Sequence, residues 1–160
     1  MLSIIASSPT EIQPVLDAIA EKAVDLAGTG DVSIWLVRSD VLERRAQRGS
    51  SAWAEAIEPL AAVPLGADSA GTRAVSEGRT VHIHDRLAEP PDNPEVRAIN
   101  ERIGVRTTLA APLLREGVPI GAMLIQRREV KPFTEKEIRD RKSTRLNSSH
   151  IQKSRMPSSA

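Results

Sequence analysis

The chain has 160 residues, room for one domain around one core, with 40% apolar and 27% charged side chains and a net charge of +1. That balance gives no general reason to expect nucleic acid. No run approaches the roughly 20 apolar residues that cross a bilayer, and the first residues lack the basic and apolar regions of a signal peptide, so no membrane partner and a cytoplasmic setting are expected. The chain contains no cysteine, which excludes disulfides, thiolate metal sites, iron–sulfur clusters, thiol nucleophiles and thioether-linked chromophores.

The first periodic segment is Thr10 to Ala27. Ile12, Leu16, Ile19, Ala23 and Leu26 fall on one helical face. Thr10 and Gln13 have the spacing of a capping box, with Pro14 expected in the first turn, and Gly28 and Gly30 stop the helix. Upstream, Leu2, Ile4 and Ile5 read as the end of an earlier linker helix over residues 1–9. Val32–Val37 is a strand with Val32, Ile34 and Leu36 on one face. After a turn at Ser39-Asp40, Val41–Arg48 returns as an antiparallel partner, charged enough to be an edge strand. Trp53, Ile57 and Leu60 suggest a short helix, and Val63-Pro64-Leu65 a short extended piece.

Ser69–Gly78 reads as a helix capped by Asp68 or Ser69 and closed by Gly78. Thr80–His84 is a strand with Val81 and Ile83 on one face and the histidines on the other. A proline-rich loop leads to a helix over Pro94–Ile103, with proline at its first position and Gly104 at its end. Val105–Leu114 and Pro119–Arg127 form a hairpin through Glu116-Gly117. Ile120, Ala122 and Leu124 are assigned to one face, Met123 and Ile125 to the other. Thr134 and Glu137 make a capping box at the start of a last helix. Helices before, between and after mostly adjacent strands give an α+β domain, an antiparallel sheet with helices on its faces.

Several segments together resemble the GAF domain family, as found in bacterial multidomain signalling proteins: Ser7–Asp17, Val32–Val37, Gly71–Val75, Arg79–Asp85, Arg106–Arg115, Gly117–Gly121 and Val130–Thr134. Their order and spacing place the GAF domain at residues 10–139. The resemblance implies a sheet of five or six strands enclosing a small-molecule pocket on one face. It also implies terminal helices that dimerise, and a covalently linked output domain such as a histidine kinase or nucleotide cyclase in the parent protein. Bilin attachment and methionine sulfoxide reduction in relatives of this fold need cysteines that are missing here, and the Asn-Lys-Phe-Asp-Glu signature of cyclic-nucleotide-binding relatives is not found. A regulatory module without enzymatic activity or resident cofactor is therefore expected, with an unidentified diffusible ligand or none.

Residues 140–160 hold five basic side chains against Asp140, net +4, which leaves residues 1–139 at −3. Asp140–His150 and Ser154–Ala160 resemble in-frame translations of a sequencing-library adapter. This tail is expected to be non-native and without function, and the last helix to be cut short, leaving an apolar face exposed and the fragment marginally stable and prone to associate.

The candidate ligand contacts are Trp35, Arg73, His82, His84, Arg97 and Thr108. Tryptophan stacks on planar groups and is also a common core residue. Arg73, Arg97 and Arg106 are potential anion clamps or solvated surface residues. Paired His82 and His84 suit a metal in principle, but with only Asp85 adjacent a polar wall is the stronger reading, and no metal is assigned. Thr107 and Thr108 place hydroxyls on a central strand. The stripe Ile12, Leu16, Ile19, Ala23 and Leu26 is either core or a homodimer seam. No serine–histidine–aspartate set, catalytic carboxylate pair or phosphate loop is visible.

Overall fold

In the computed structural model, which describes residues 9–27, 30–89 and 93–142, the chain runs α1 (Pro9–Ala27), β1 (Asp31–Arg38), β2 (Val41–Arg48), α2 (Ser51–Ile57), β3 (Ala62–Pro64), α3 (Ala70–Glu77), β4 (Val81–Ile83), α4 (Pro94–Ile103), β5 (Thr107–Arg115), β6 (Val118–Arg127) and α5 (Glu135–Lys142). All strand pairs are antiparallel, in one six-stranded sheet of order β3-β2-β1-β6-β5-β4. The α+β expectation holds.

Alternation along the central strands sorts side chains into two layers. Val32, Ile34, Leu109, Leu113, Met123 and Ile125 pack beneath α1, with Phe133 joining them ahead of α5. Trp35, Ala110, Ala122 and Leu124 face the other way, under α2, α3 and α4. The α1 stripe is used within this core. Leu16 and Ala23 are fully buried and Ile12 and Ile19 are partly buried against the sheet, while the side chain of Leu26 lies outside the described residues.

Local signals set the boundaries. Ser69 accepts the Thr72 amide in a reciprocal capping box, and Gly78 closes α3 in the left-handed region at φ 67°. Asn93 caps α4, which carries Pro94 in its first turn. The Thr134–Glu137 box is formed in both directions, at 2.9 and 3.1 Å. Glu116 and Gly117, at φ 54° and 81°, make the two-residue hairpin turn.

Other expectations need correction. The helix α1 starts at Pro9, so Pro14 lies beyond the first turn. Thr10 lies within the helix rather than before it. The Gln13 amide donates to Asp17 at 3.1 Å and to the Arg45 carbonyl at 2.7 Å. That carbonyl belongs to a bulge, where the register steps from Ile34↔Ala46 to Trp35↔Arg44 and leaves Arg45 without a partner. A second bulge, between the pairs Leu113↔Gly121 and Leu114↔Pro119, leaves Ile120 unmatched. It breaks the alternation there, and Ile120 packs with the core beneath α1 rather than with Ala122 and Leu124. The strand β2 is not an edge, because β3 pairs with Val41–Glu43. The expected exposed apolar face is not found: among the described residues the large apolar side chains left exposed are Leu87, Val118 and Val130, and those facing α1 in mid-sheet are buried. The helix α5 extends to Lys142. Residues 1–8 and 143–160, and the readings made of them, lie outside the described residues.

At Gly121 the strand β6 runs against β1 so tightly that an added Cβ would fall on the Trp35 carbonyl oxygen. A backbone atom has little room to yield, so Gly121→Ala is expected to destabilise the fold by about 3 kcal/mol, measured as a lowered midpoint in urea.

Candidate functional site

Between the sheet and the second helix layer lies a partly enclosed cavity of about 40 Å³. One water needs roughly 10–15 Å³ on this kind of measure and a drug-sized ligand roughly 300 Å³ or more, so the cavity as formed suits a guest of a few heavy atoms. Trp35 and Trp53 form its aromatic walls, and Leu42 and Ile99 line it as well. Both tryptophans are buried and held: Trp35 Nε1 donates to Ser33 Oγ at 2.8 Å, and Trp53 Nε1 to Gln126 Oε1 at 3.3 Å.

Polar groups enter this apolar space from three elements. Gln126 comes from the end of β6, Asn100 from the inner face of α4, and Arg86 from the loop after β4. Arg86 is 4% exposed, its Nε is buried without a hydrogen-bond partner, and burial lowers its pKa to about 10. Asp68 and Glu89 oppose that shift through space and Arg73 adds to it. Asn100 Nδ2 and Thr108 Oγ1 are likewise buried and unbonded. Thr108 pairs across the sheet with Gln126 and so shares its face.

Arg86 and Asn100 also line an outer cleft of about 430 Å³, together with Arg97, Arg106 and Arg128. Arg106 is committed to Asp85 through a two-toothed pair at 2.9 and 3.1 Å, which holds the Asp85 carboxyl below its usual range. Arg128 pairs with Asp31 at 3.3 Å. A larger concavity of about 870 Å³ lies beside α1, but it is an open groove where carboxylates and arginines face each other, with Arg48 near Asp17 and Glu21. The cavity between the sheet and the second helix layer, with its unmet donors, is the better candidate site.

Of the six candidate contacts, Trp35 lines the cavity and Thr108 stands on its sheet face. Arg73 lies on α3 near Glu77, at 3.9 Å, and Arg97 lines only the outer cleft. The histidines are together, with ring centroids 4.4 Å apart, but away from the cavity. His82 pairs with Leu109 across the sheet, on the α1 side, and its Nε2 accepts the Phe133 amide at 3.0 Å. Thr107 is structural, donating to the carbonyls of His84 and Glu129 and accepting the Lys131 amide. Among the described residues no three histidine or carboxylate side chains are placed to hold a metal ion, and no helix is long and apolar enough to cross a membrane.

The sequence reading missed Arg86, Asn100 and Gln126. Two of them left a signal. Asn100 interrupts the apolar stripe Val96, Ile99, Ile103 of α4, and Gln126 continues the series Ala122, Leu124 on β6. Arg86 sits in a loop, where no period marks an inward position.

A helix-flanked antiparallel sheet with a polar-dressed cavity on one face defines an α+β sandwich-like domain. The GAF domain model matches residues 11–140, and the chain belongs to the GAF domain family. No curated protein sequence matches it significantly. It is similar in fold to a GAF domain/HD domain protein from Geobacter sulfurreducens (TM-score 0.72, 16% identity, covering 89% of this chain and 90% of that one). It is also similar to a type II free methionine-R-sulfoxide reductase from Thermoplasma acidophilum (0.68, 15%, 84% and 87%). A third similar structure is a domain of a two-component sensor histidine kinase protein from Sinorhizobium meliloti 1021 (0.62, 16%, 83% and 85%).

Burial, then His84 and Arg127, lowers the pKa of His82 from the ordinary 6.5. The ring must be neutral at Nε2 to accept the Phe133 amide. The unfolded chain therefore takes up its proton first as pH falls, and the contribution of His82 is full above about pH 6.5 and lost through the lower folded-state pKa. Urea titrations at about pH 7.5 and about pH 5.5 are expected to show a larger acid loss in the wild type than in His82→Gln. Glutamine accepts the same amide without titrating.

Proposed function

We propose that this GAF domain is a regulatory, non-catalytic sensor of a small molecule, part of a signal-transduction protein in the cytoplasm, linked to an output domain such as a sensor histidine kinase or nucleotide cyclase. The observation that carries this reading is the cavity walled by two tryptophans, beside which Arg86 and Asn100 keep buried donors with no partner. Such groups cost stability until something satisfies them. The kinship in fold to a domain of a sensor histidine kinase protein supports the signalling context.

The sheet supplies a route from the cavity to the terminal helices. Gln126 bonds Trp53 on the cavity side. The next residue, Arg127, points to the opposite face, where its guanidinium lies 3.8 Å from the Phe133 ring, donates to the Lys131 carbonyl at 2.7 Å and pairs with Glu137 of α5 at 3.1 Å. A guest that moves Gln126 moves the anchor of α5, and differential affinity for the two arrangements would bias the output. Two copies would associate through α1 and α5, the helices that lie together.

A fluorescence and thermal-shift screen of small metabolites on the full chain is expected to yield stabilising hits that are lost in Gly71→Val. The added side chain in that variant would crowd Leu42 and Leu124 at the cavity wall, where a Cβ alone lies 3.0 and 3.3 Å away. The small cavity volume favours a second reading, a dimerisation and relay module that binds no ligand. A screen without hits together with a dimer in sedimentation would favour it, and a monomer would remove it.

A further inference from the structure

Resting on the proposal that the cavity takes a guest, we propose that the guest is a small monocarboxylate, its charge met by Arg86 and its apolar body held between Trp35 and Trp53. Arg86, Asn100 and Thr108 are 4%, 7% and 0% exposed, and each keeps one polar side-chain atom buried and unbonded. The first two line the cavity itself. Nε of arginine and Nδ2 of asparagine only donate, so the missing partner is an acceptor. Arg86 is also a cation that forms no ion pair among the described residues, its nearest carboxylates acting only through space. A guanidinium in that state is best met by an anion able to take parallel hydrogen bonds, the geometry a carboxylate offers.

The walls narrow the choice further. A doubly charged phosphate would set excess negative charge against tryptophan, leucine and isoleucine with one guanidinium to neutralise it, at a large desolvation cost. A monocarboxylate brings one charge and a compact apolar body. The cavity volume of about 40 Å³ suits acetate or propionate with little rearrangement. Entry is through the outer cleft, which shares Arg86 and Asn100 with the cavity and whose further arginines favour arrival of anions.

Trp35 and Trp53 are the only tryptophans of the chain, and both line the cavity, so intrinsic fluorescence reports its occupancy directly. The full chain would be titrated with acetate and propionate, with their neutral isosteres acetamide and propionamide, and with inorganic phosphate, all at matched ionic strength. The expected result is a saturable change in fluorescence and a raised thermal midpoint with the carboxylates, with the amides and phosphate at least about tenfold weaker. Arg86→Lys, which keeps the charge without the fork, should weaken carboxylate binding about tenfold. Arg86→Met should abolish it while melting no lower than the ligand-free wild type, because a buried charge held by no direct ion pair has been removed.

Equal saturation by the amides would overturn the anion assignment and leave the sensor reading standing. Tighter binding of phosphate would overturn the carboxylate. No response to any probe would also overturn the inference, while the wider metabolite screen judges the sensor reading separately. Should Arg86→Met fail to fold, the comparison of carboxylate with amide in the wild type decides.

Discussion

The structure depends on the two-residue alternation of β1, β5 and β6, which must supply two different cores from one set of strands. Along β1, Val32, Ile34 and Leu36 face α1, while Ser33 and Trp35 face the cavity. Along β6, Met123 and Ile125 face α1, while Leu124 and Gln126 face the cavity. A slip of one residue would place Trp35 beneath α1 and Ile34 against Arg86, so register is strongly specified. The pairing Trp35↔Ala122 and Leu36↔Gly121 shows how it is locked. Small residues on β6 lie opposite the bulky ones on β1, and at Gly121 there is space for no side chain at all.

The same alternation makes the two layers chemically unlike. The layer under α1 is almost wholly aliphatic, closed by Phe133 and its overlying Arg127. The other layer is built from short helices and loops, and carries every polar intrusion of the cavity. Short helices have few positions with which to fill a sheet face, and α2 depends on outside support. Arg44 reaches from β2 to the carbonyls of Ile57 and Leu60 at its C-terminal end, satisfying groups that a helix terminus leaves open. A layer held in this way yields more readily than one long helix lying on strands, and that is where a guest is best admitted.

The elements of the fold were legible because caps, turns and periodic faces are local. Ser69 with Gly78, Pro94 with Gly104, and Glu116-Gly117 each mark boundaries through local residues. Where the reading went astray, a long-range interaction had overridden a local pattern. Gln13 has the spacing of a cap but is drawn to a carbonyl freed by a bulge in β2, and Ile120 leaves its assigned face because a second bulge falls on it. The site was less legible still. Trp35 could be placed by strand parity, whereas His82 and His84 drew attention by residue type although parity puts His82 on the far side of the sheet. Asn100 and Gln126 were visible only as polar letters in apolar positions. The inward turn of Arg86 is set by tertiary packing of its loop, which no pattern within that loop encodes.

A buried guanidinium that forms no direct ion pair among the described residues is an odd feature for a domain whose task ends with folding. Its positive charge costs free energy in every molecule whose cavity is empty, and a hydrophobic residue of similar length would serve the packing better. It becomes intelligible when the empty state is only one of two states the domain must occupy. Ligand that binds the folded protein stabilises it by RT ln(1 + L/Kd), with L the free ligand concentration, and that gain grows as binding tightens. Gln126 and Arg127 are adjacent on one strand and face opposite layers, so relief at the cavity and tightening of the α5 anchor share a single stretch of backbone. On the proposed sensor reading, the tension at Arg86 and the clamp at Arg127 would be two ends of one device, and the sheet between them would convert occupancy into helix position.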